Sequence, residues 1–464
     1  MSIQATHVSN FAGELIGREH PGYDEARKLF NGMIDRRPAL IARCSGPEDV
    51  AAALAHAREQ SLTVAVRGGG HSAPGYSCCE NGIVIDTGPI KSVEIDVERR
   101  TGRFGAGLTW GELDHATQEH GLAVTGGRVT HTGVAGLTLG SGSGWLERKY
   151  GITCESLISA EVVTADGHVL RASAEQNHDL FWGLKGGGGN FGVVTEFEFR
   201  LHPVGPIVFG GMLLYPRAAA PDLLRFYRDF MGQAPDEACG GFSLLTAPPE
   251  EFVPEPARGK PACGVVLLYA GDPQQGEEAF RPLLAWGEPW VKLVQPMPYV
   301  ALQQMLDPAH PWGIGYYAKT DYLPELPDEA IDAMVDKAAE IGSPLTGLHL
   351  APLGGAVARA DRSTMALEVP NVPWYYMCMA LAWDPAQAER ETEWARALMQ
   401  TLRPWTVDKA PPNFINKDEG HTRLRSSYGE QKFERLVTLK DKYDPHNVFS
   451  LNQNIPPSTR AAGV

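Results

Sequence analysis

The 464-residue chain reads as an α+β protein built from two interleaved modules. Three features predict this. Short β-type runs punctuated by glycine loops fill the first part. The composition changes at Pro203-Val204-Gly205-Pro206. After that point, strand-like runs alternate with amphipathic helices, the order expected of a sheet with helices on one face. The length exceeds what one ordinary core supports. With 43% hydrophobic and 21% charged residues, a packed enzyme-sized protein is expected rather than a disordered chain.

Taken in order, Pro47 opens a helix over 48–60 with Val50, Ala53, Leu54 and Ala57 on one face. The run 63–66 is a buried strand that passes into Arg67-Gly68-Gly69-Gly70-His71-Ser72, and 83–86 and 93–97 are further strands. A helix over 110–120 closes on Gly121. The segment 125–144, rich in Gly, Thr and Ser, fits neither a helix period nor a linker. Strands follow at 159–163 and 192–199, the second entered from the glycine loop 186–191. Beyond residue 206, strands are expected at 207–215, 264–270 and 375–383, and helices at 222–231, 327–341 and 385–402. The stretch 404–412 is a second crossing between modules, and 430–442 is a terminal helix.

Composition narrows the function. Forty-one Lys and Arg against 56 Asp and Glu give a formal charge of -15, and no basic run is present, so nucleic-acid and anionic-membrane binding are not expected. No stretch approaches the roughly 18 apolar residues of a membrane span. The N-terminal residues lack the basic-then-apolar pattern of a secretory signal. Seven scattered cysteines form neither a disulfide framework nor a zinc pattern, and no H-E-x-x-H helix occurs, so no metal is expected. The expected setting is cytoplasmic, with small molecules as partners.

Three glycine loops, 68–70, 133–144 and 186–192, each flanked by strands, suggest one extended ligand laid across backbone. Successive amides in such a turn suit a pyrophosphate, although a tight strand-to-strand turn explains the first loop equally well. His71 ends the first loop and Cys154 follows the second; by spacing alone, both read more readily as structural residues. Neither a phosphate-binding G-x-x-x-x-G-K-[ST] loop nor an early G-x-G-x-x-G is present. Gly70-His71-Ser72-Ala73-Pro74 falls one residue short of the hydrolase nucleophile elbow, which leaves a serine hydrolase acting through Ser72 as a remote alternative.

The runs VAVRGGGHSAPGY, GVAGLTLGSGSGWLERKYGITCESLISAEVV, DLFWGLKGGGGNFGVVTEFEF and YDPHNVFSLNQNIPP resemble the FAD-linked oxidases of the berberine-bridge-enzyme type, within the vanillyl-alcohol-oxidase superfamily. The resemblance implies a PCMH-type two-part FAD-binding domain at 1–205, an inserted substrate domain on an antiparallel sheet at 206–409, and a segment at 410–464 that returns to the FAD-binding domain. It implies bicovalent FAD, bonded to His71 at the 8α-methyl group and to Cys154 at C6. Arg67, Gly68, Gly69, Gly70 and Ser72 fall on its pyrophosphate loop, Gly133, Gly136 and Gly140 on the backbone beside the flavin, Gly192 and Val194 at the adenosine end, and Asn452 and Gln453 on the closing tail. Thr132, beside His131, falls where oxygen access is governed. The sugar-oxidising relatives' Y-x-N-Y reads Phe414-Ile415-Asn416-Lys417 here, so a tyrosinate base is missing; Asn416 remains and Lys417 becomes a candidate base. Tyr316, Tyr317, Asp321, His349 and Glu368 are further candidates. The implied activity is hydride transfer from a C–H next to a hydroxyl or amine, with dioxygen as acceptor and hydrogen peroxide released. A tailoring oxygenase of secondary metabolism is the alternative within the family.

Overall fold

The computed structural model describes residues 8–461. Two sheets build the first module. The smaller has four strands in the order Glu14–Gly17, Leu40–Arg43, Ile83–Asp86, Val64–Arg67, the last three parallel. A parallel arrangement needs a crossover, and the helix Pro47–Glu59 supplies it, with proline at its start and Val50, Ala53, Leu54 and Ala57 buried. The second sheet is antiparallel, in the order Val93–Asp96, Thr101–Gly105, Val193–Arg200, Leu157–Val163, Val169–Ser173. The helix Trp110–Gln118 carries a capping box between Thr109 and Glu112, and Gly121 follows with φ +64°.

The second module is one seven-stranded antiparallel sheet, in the order Val291–Pro298, Ile207–Pro216, Pro261–Tyr269, Ala238–Thr246, Gly347–Pro352, Trp374–Ala382, Gly315–Leu323. Helices Ala220–Met231, Pro273–Leu284, Asp328–Ala338 and Pro385–Leu402 cover one face, where Leu223, Phe280, Met334 and Leu398 join Phe242, Leu267, Leu348 and Tyr376 in one apolar cluster. The opposite face rests on the first module. There Leu268 meets Trp145, Tyr322 and Tyr375 meet Ile152 and Cys154, and Ala318 and Met379 meet Phe30. No helix among the described residues is long and apolar enough to cross a membrane.

The structure adds several elements to the sequence expectation, Val291–Pro298, Gly347–Pro352 and Pro273–Leu284 among them, and departs from it most clearly as follows. Within 125–144, residues Val134–Gly140 do form a helix, because Val134, Ala135, Thr138 and Leu139 bury one side that the high glycine content disguises. The strands Ala238–Thr246 and Gly315–Leu323 carry internal Gly or Lys and Asp, which masked them; sheet partners on both sides of the first, and a pairing along the full length of the second, override those weak propensities.

The C-terminal segment returns to the first module. The helix Glu430–Tyr443 places Phe433, Leu436, Leu439 and Tyr443 against Leu180, Phe191 and Phe197. Its last turn is locked by Lys440, whose ammonium lies 2.8 Å from Asp444 and donates to the carbonyls of Asn190, at 2.9 Å, and Phe449, at 3.0 Å. Both charged side chains are fully buried. Replacing Lys440 with Met leaves the Asp444 carboxylate buried without its counter-charge. We expect a loss of about 3–5 kcal/mol in denaturant unfolding.

Candidate active site

The loop 68–72 leaves the strand Val64–Arg67 at its buried end. Arg67 roots it: the guanidinium donates to Asp86 at 2.8 Å and to the Ala26 carbonyl, so this side chain is consumed within the protein rather than turned to a ligand. Gly70 has φ +71°, a conformation that favours glycine. Gly69 answers a different need. A Cβ on it would stand 2.3 Å from the Gly133 nitrogen, and a Cβ on Gly133 would stand 2.3 Å from the Gly69 nitrogen. The first two glycine loops therefore cross backbone against backbone.

Past the crossing, the His71 ring stacks on Phe30 with centroids 4.3 Å apart, and Trp312 meets it edge-on at 5.8 Å. His71 Nε2 lies 2.8 Å from His131 Nδ1, and His131 Nε2 lies 3.0 Å from the carbonyl oxygen of His310. A carbonyl only accepts, so His131 Nε2 carries the proton. Burial lowers the pKa of both rings, that of His71 to about 3, so both are neutral near pH 7. Neutral His131 then offers a lone pair at Nδ1, and His71 donates to it from Nε2. His71 Nδ1 is left as the ring nitrogen with the lone pair, which accepts a long hydrogen bond from Thr132 Oγ1 at 3.5 Å. Ser72 has no part in this chain. Its Oγ accepts the Tyr76 amide at 3.0 Å and meets no histidine, which removes the basis for a serine hydrolase.

The second and third loops join the same cleft. A Cβ on Gly136 would stand in open space, and Asn413 lies over Gly140 and donates to the carbonyls of Gly136 and Leu137 at 3.2 and 3.3 Å. The amide of Gly188 donates to Leu139 at 2.9 Å. Asn190 ties the tail down, donating to the Gln453 carbonyl at 3.2 Å and accepting from the Ile455 amide at 2.9 Å. Asn452 donates to Gly189 at 3.1 Å, and Gln453 to Ile415 at 3.1 Å. Gly192 and Val194 are buried at the start of the strand Val193–Arg200, where a Cβ on Gly192 would press on Val162 and Val163.

Cys154 is placed elsewhere. It is completely buried with Tyr322, Leu353, Met365 and Leu367, and it shares no partner with His71. Burial, with Glu155 adjacent, pushes its thiol up to about 12. A bond to a cofactor needs a thiolate, and as placed here the Cys154 sulfur is enclosed by these side chains rather than joined to the His71 cluster.

The cleft fits a bound FAD on three counts. Its walls are glycine backbone at 68–70, 133, 136 and 188–189. The amides of Gly69, Gly70, His71 and Ser72 donate to no acceptor among the described residues. Asn452 Oδ1 and Asn454 Oδ1 are buried without a protein partner. His71, Ser72, Gly136, Gly189 and the Asn452–Asn454 tail would hold the cofactor.

Above the cleft lies the inner face of the seven-stranded sheet. Strand alternation sorts the candidates on it. Tyr316 faces inward with Ala318, Met377 and Met379. Tyr317 faces the helices: its hydroxyl donates to Asp418 at 2.9 Å with Arg396 alongside, so it is not a catalytic group of this cleft. Asp321 is likewise on the helix face and pairs with Arg423. Glu368 pairs with Lys432 at 2.7 Å. Lys417 is exposed, which removes the desolvation that its role as a base requires. Asn416 is buried and donates to the Ala318 carbonyl, pinning the tail to the sheet edge. His349 is inward-facing; its Nδ1 lies 2.7 Å from Ser243 Oγ, and burial lowers its pKa to about 3. Phe30, Trp312 and the His310 carbonyl escaped the sequence reading because they come from segments without a motif; only the clustering of aromatics with His310 hinted at them.

Two family models match the chain: one described as FAD binding domain, over residues 38–173, and one described as berberine and berberine like, over 412–456. An FAD-linked oxidoreductase of Dictyostelium discoideum is 29% identical over 93% of this chain and 91% of its own. The (R)-6-hydroxynicotine oxidase of Paenarthrobacter nicotinovorans is 28% identical over 98% of this chain and 99% of its own. Among solved structures, 6-hydroxy-D-nicotine oxidase from Arthrobacter nicotinovorans superposes with a TM-score of 0.87 at 25% identity, covering 98% of this chain and 100% of that one. The two-part FAD-binding architecture with an inserted antiparallel sheet is thus the fold of this chain.

The neutral state of His349 has a measurable consequence. Its folded pKa lies below the unfolded value near 6.5, so on acidification the unfolded chain takes up the proton first and stability falls below that pH. Between about pH 7.5 and pH 5, denaturant unfolding should show the parent losing roughly 1–2 kcal/mol more than His349→Gln.

Proposed function

We propose that this chain, an FAD-dependent oxidoreductase of the berberine-bridge-like group, is an oxidase that takes hydride from a carbon bearing a hydroxyl or an amine and uses dioxygen as acceptor. FAD, when bound, accepts the hydride and passes two electrons to dioxygen, releasing hydrogen peroxide. The protein's work is to hold, orient and manage protons. The observation that carries this reading is the run from the His310 carbonyl through His131 to His71, which keeps a nucleophilic Nδ1 lone pair at the lip of the glycine cleft.

His71 is the single covalent holder in this proposal. His131 is its positioning residue, since it accepts the hydrogen bond from Nε2–H and so fixes which nitrogen keeps the lone pair. Cys154, sealed beneath the second loop, stays a thiol. Thr132 stands beside His71, which supports its assignment to oxygen access. The substrate lies between the cleft and the inner sheet face, with its reacting carbon toward the cleft.

Attachment and acceptor are tested separately. Acid-precipitated His71→Ala should be colourless, and Cys154→Ala should keep the parent's bound flavin. His131→Ala should bind FAD yet retain several-fold less of it through acid precipitation; a merely structural residue would lower both together. Photoreduced holoenzyme mixed with aerated buffer should regain its colour and release about one peroxide per flavin. Slow reoxidation without peroxide would contradict the oxidase reading.

A further inference from the structure

The inner sheet face is sorted by charge. Inward positions on the strand Gly315–Leu323 are Tyr316, Ala318, Thr320 and Tyr322; on Trp374–Ala382 they are Tyr375, Met377, Met379 and Leu381. The strand Gly347–Pro352 contributes Gly347, His349 and Ala351, and Ala238–Thr246 contributes Cys239, Gly241, Ser243 and Leu245. None of these residues is Asp, Glu, Lys or Arg. The residues of these strands that carry charge near pH 7, Lys319 and Asp321, point to the helix face and are paired there. One guanidinium reaches the inner face from below. Arg128 bonds Ser143 at 2.9 Å and Tyr375 at 3.0 Å, and Glu147 cancels its charge at 2.8 Å.

His349 is the one imidazole on this face; with its proton on Nδ1, toward Ser243 Oγ, its Nε2 is an acceptor, a stronger one than the phenol oxygens of Tyr316 and Tyr322. Its Nδ1 is engaged by Ser243, whereas Nε2 has no hydrogen bond to any described residue and is not sealed off. Gly347 supplies the clearance, because a Cβ there would stand 2.8 Å from Nε2. Burial keeps the phenols of Tyr316, Tyr322 and Tyr375 protonated, so none is a ready base.

We infer that the substrate is an uncharged, largely apolar ring compound that donates one hydrogen bond, from O–H or N–H, to His349 Nε2. This rests on the oxidase reading and narrows it. A carboxylate or ammonium would be desolvated here without a counter-charge. A sugar would bring more hydroxyls than this face can match, because Ser243, Thr320, Tyr375 and Arg128 are already engaged within the protein and methionine, leucine and alanine fill much of the rest. A flat apolar ring finds thioether and aromatic faces that adapt to it.

Anaerobic titration of the holoenzyme, followed by perturbation of the flavin absorbance, tests the inference with four probes: methyl mandelate, mandelate, indoline and cellobiose. Methyl mandelate and mandelate differ by one methyl group and the charge that esterification removes. Methyl mandelate or indoline should bind at least about tenfold more tightly than mandelate and cellobiose. His349→Phe and Gly347→Ala should weaken the preferred probe about tenfold, and His349→Gln, which keeps an acceptor, should restore most of the affinity. Equal or tighter binding of mandelate or cellobiose overturns the inference, as does parent-like affinity in His349→Phe or binding by none of the four. If a probe binds as expected but photoreduced enzyme yields no peroxide in air, the oxidase reading fails and the substrate assignment stands.

Discussion

The site depends on a place where two chains of glycine backbone touch. Gly69 and Gly133 approach so closely that neither tolerates a Cβ, and no rearrangement of side chains could relieve the clash, because the opposing atoms are main chain. That contact sets the separation of the first two loops. It brings His71 to His131 and Thr132, and it leaves the glycines 68–70 and 136 facing a common cleft. The third loop and the tail are added by ordinary hydrogen bonds through Asn190, Asn413, Asn452 and Gln453, with Lys440 and Asp444 holding the last turn in place.

The sheet above the cleft divides its labour by face. Charged residues are directed to the helix side, where Lys319, Glu419, Asp321 and Arg423 satisfy one another, and the cleft side keeps neutral groups. A cleft whose one nearby carboxylate, Glu147, is tied to Arg128 has little means of removing a strongly held proton. It suits a substrate whose donor is already neutral and whose hydrogen bond to an imidazole is enough to orient it. The two modules meet through this neutral face, so substrate choice and cofactor geometry share one interface.

Much of this arrangement was legible in the sequence. The glycine loops, His71 at the end of the first, the α+β class and the returning tail all follow from local composition and motif order, because close backbone approach demands glycine wherever it occurs. Side-chain orientation was less accessible. Tyr316 and Tyr317 are indistinguishable as letters, and only the pairing of their strand shows which one faces the cleft. Cys154 follows a glycine loop in sequence but lies beneath it in space, a difference of depth that spacing does not encode. Lys417 shows the same limit, since its value as a base depended on burial that the fold does not provide. The partners of His71 were hidden for another reason: Phe30 and His310 come from distant segments and are joined only by tertiary packing.

The central claim is that one histidine at the end of a glycine loop holds the cofactor and that no cysteine shares the task. Tryptic mapping of the denatured holoenzyme measures this directly, because His71 and Cys154 fall on separate peptides, 68–91 and 150–171. Flavin fluorescence and the added mass should travel with peptide 68–91 alone. Flavin on peptide 150–171, or on neither, would contradict the account.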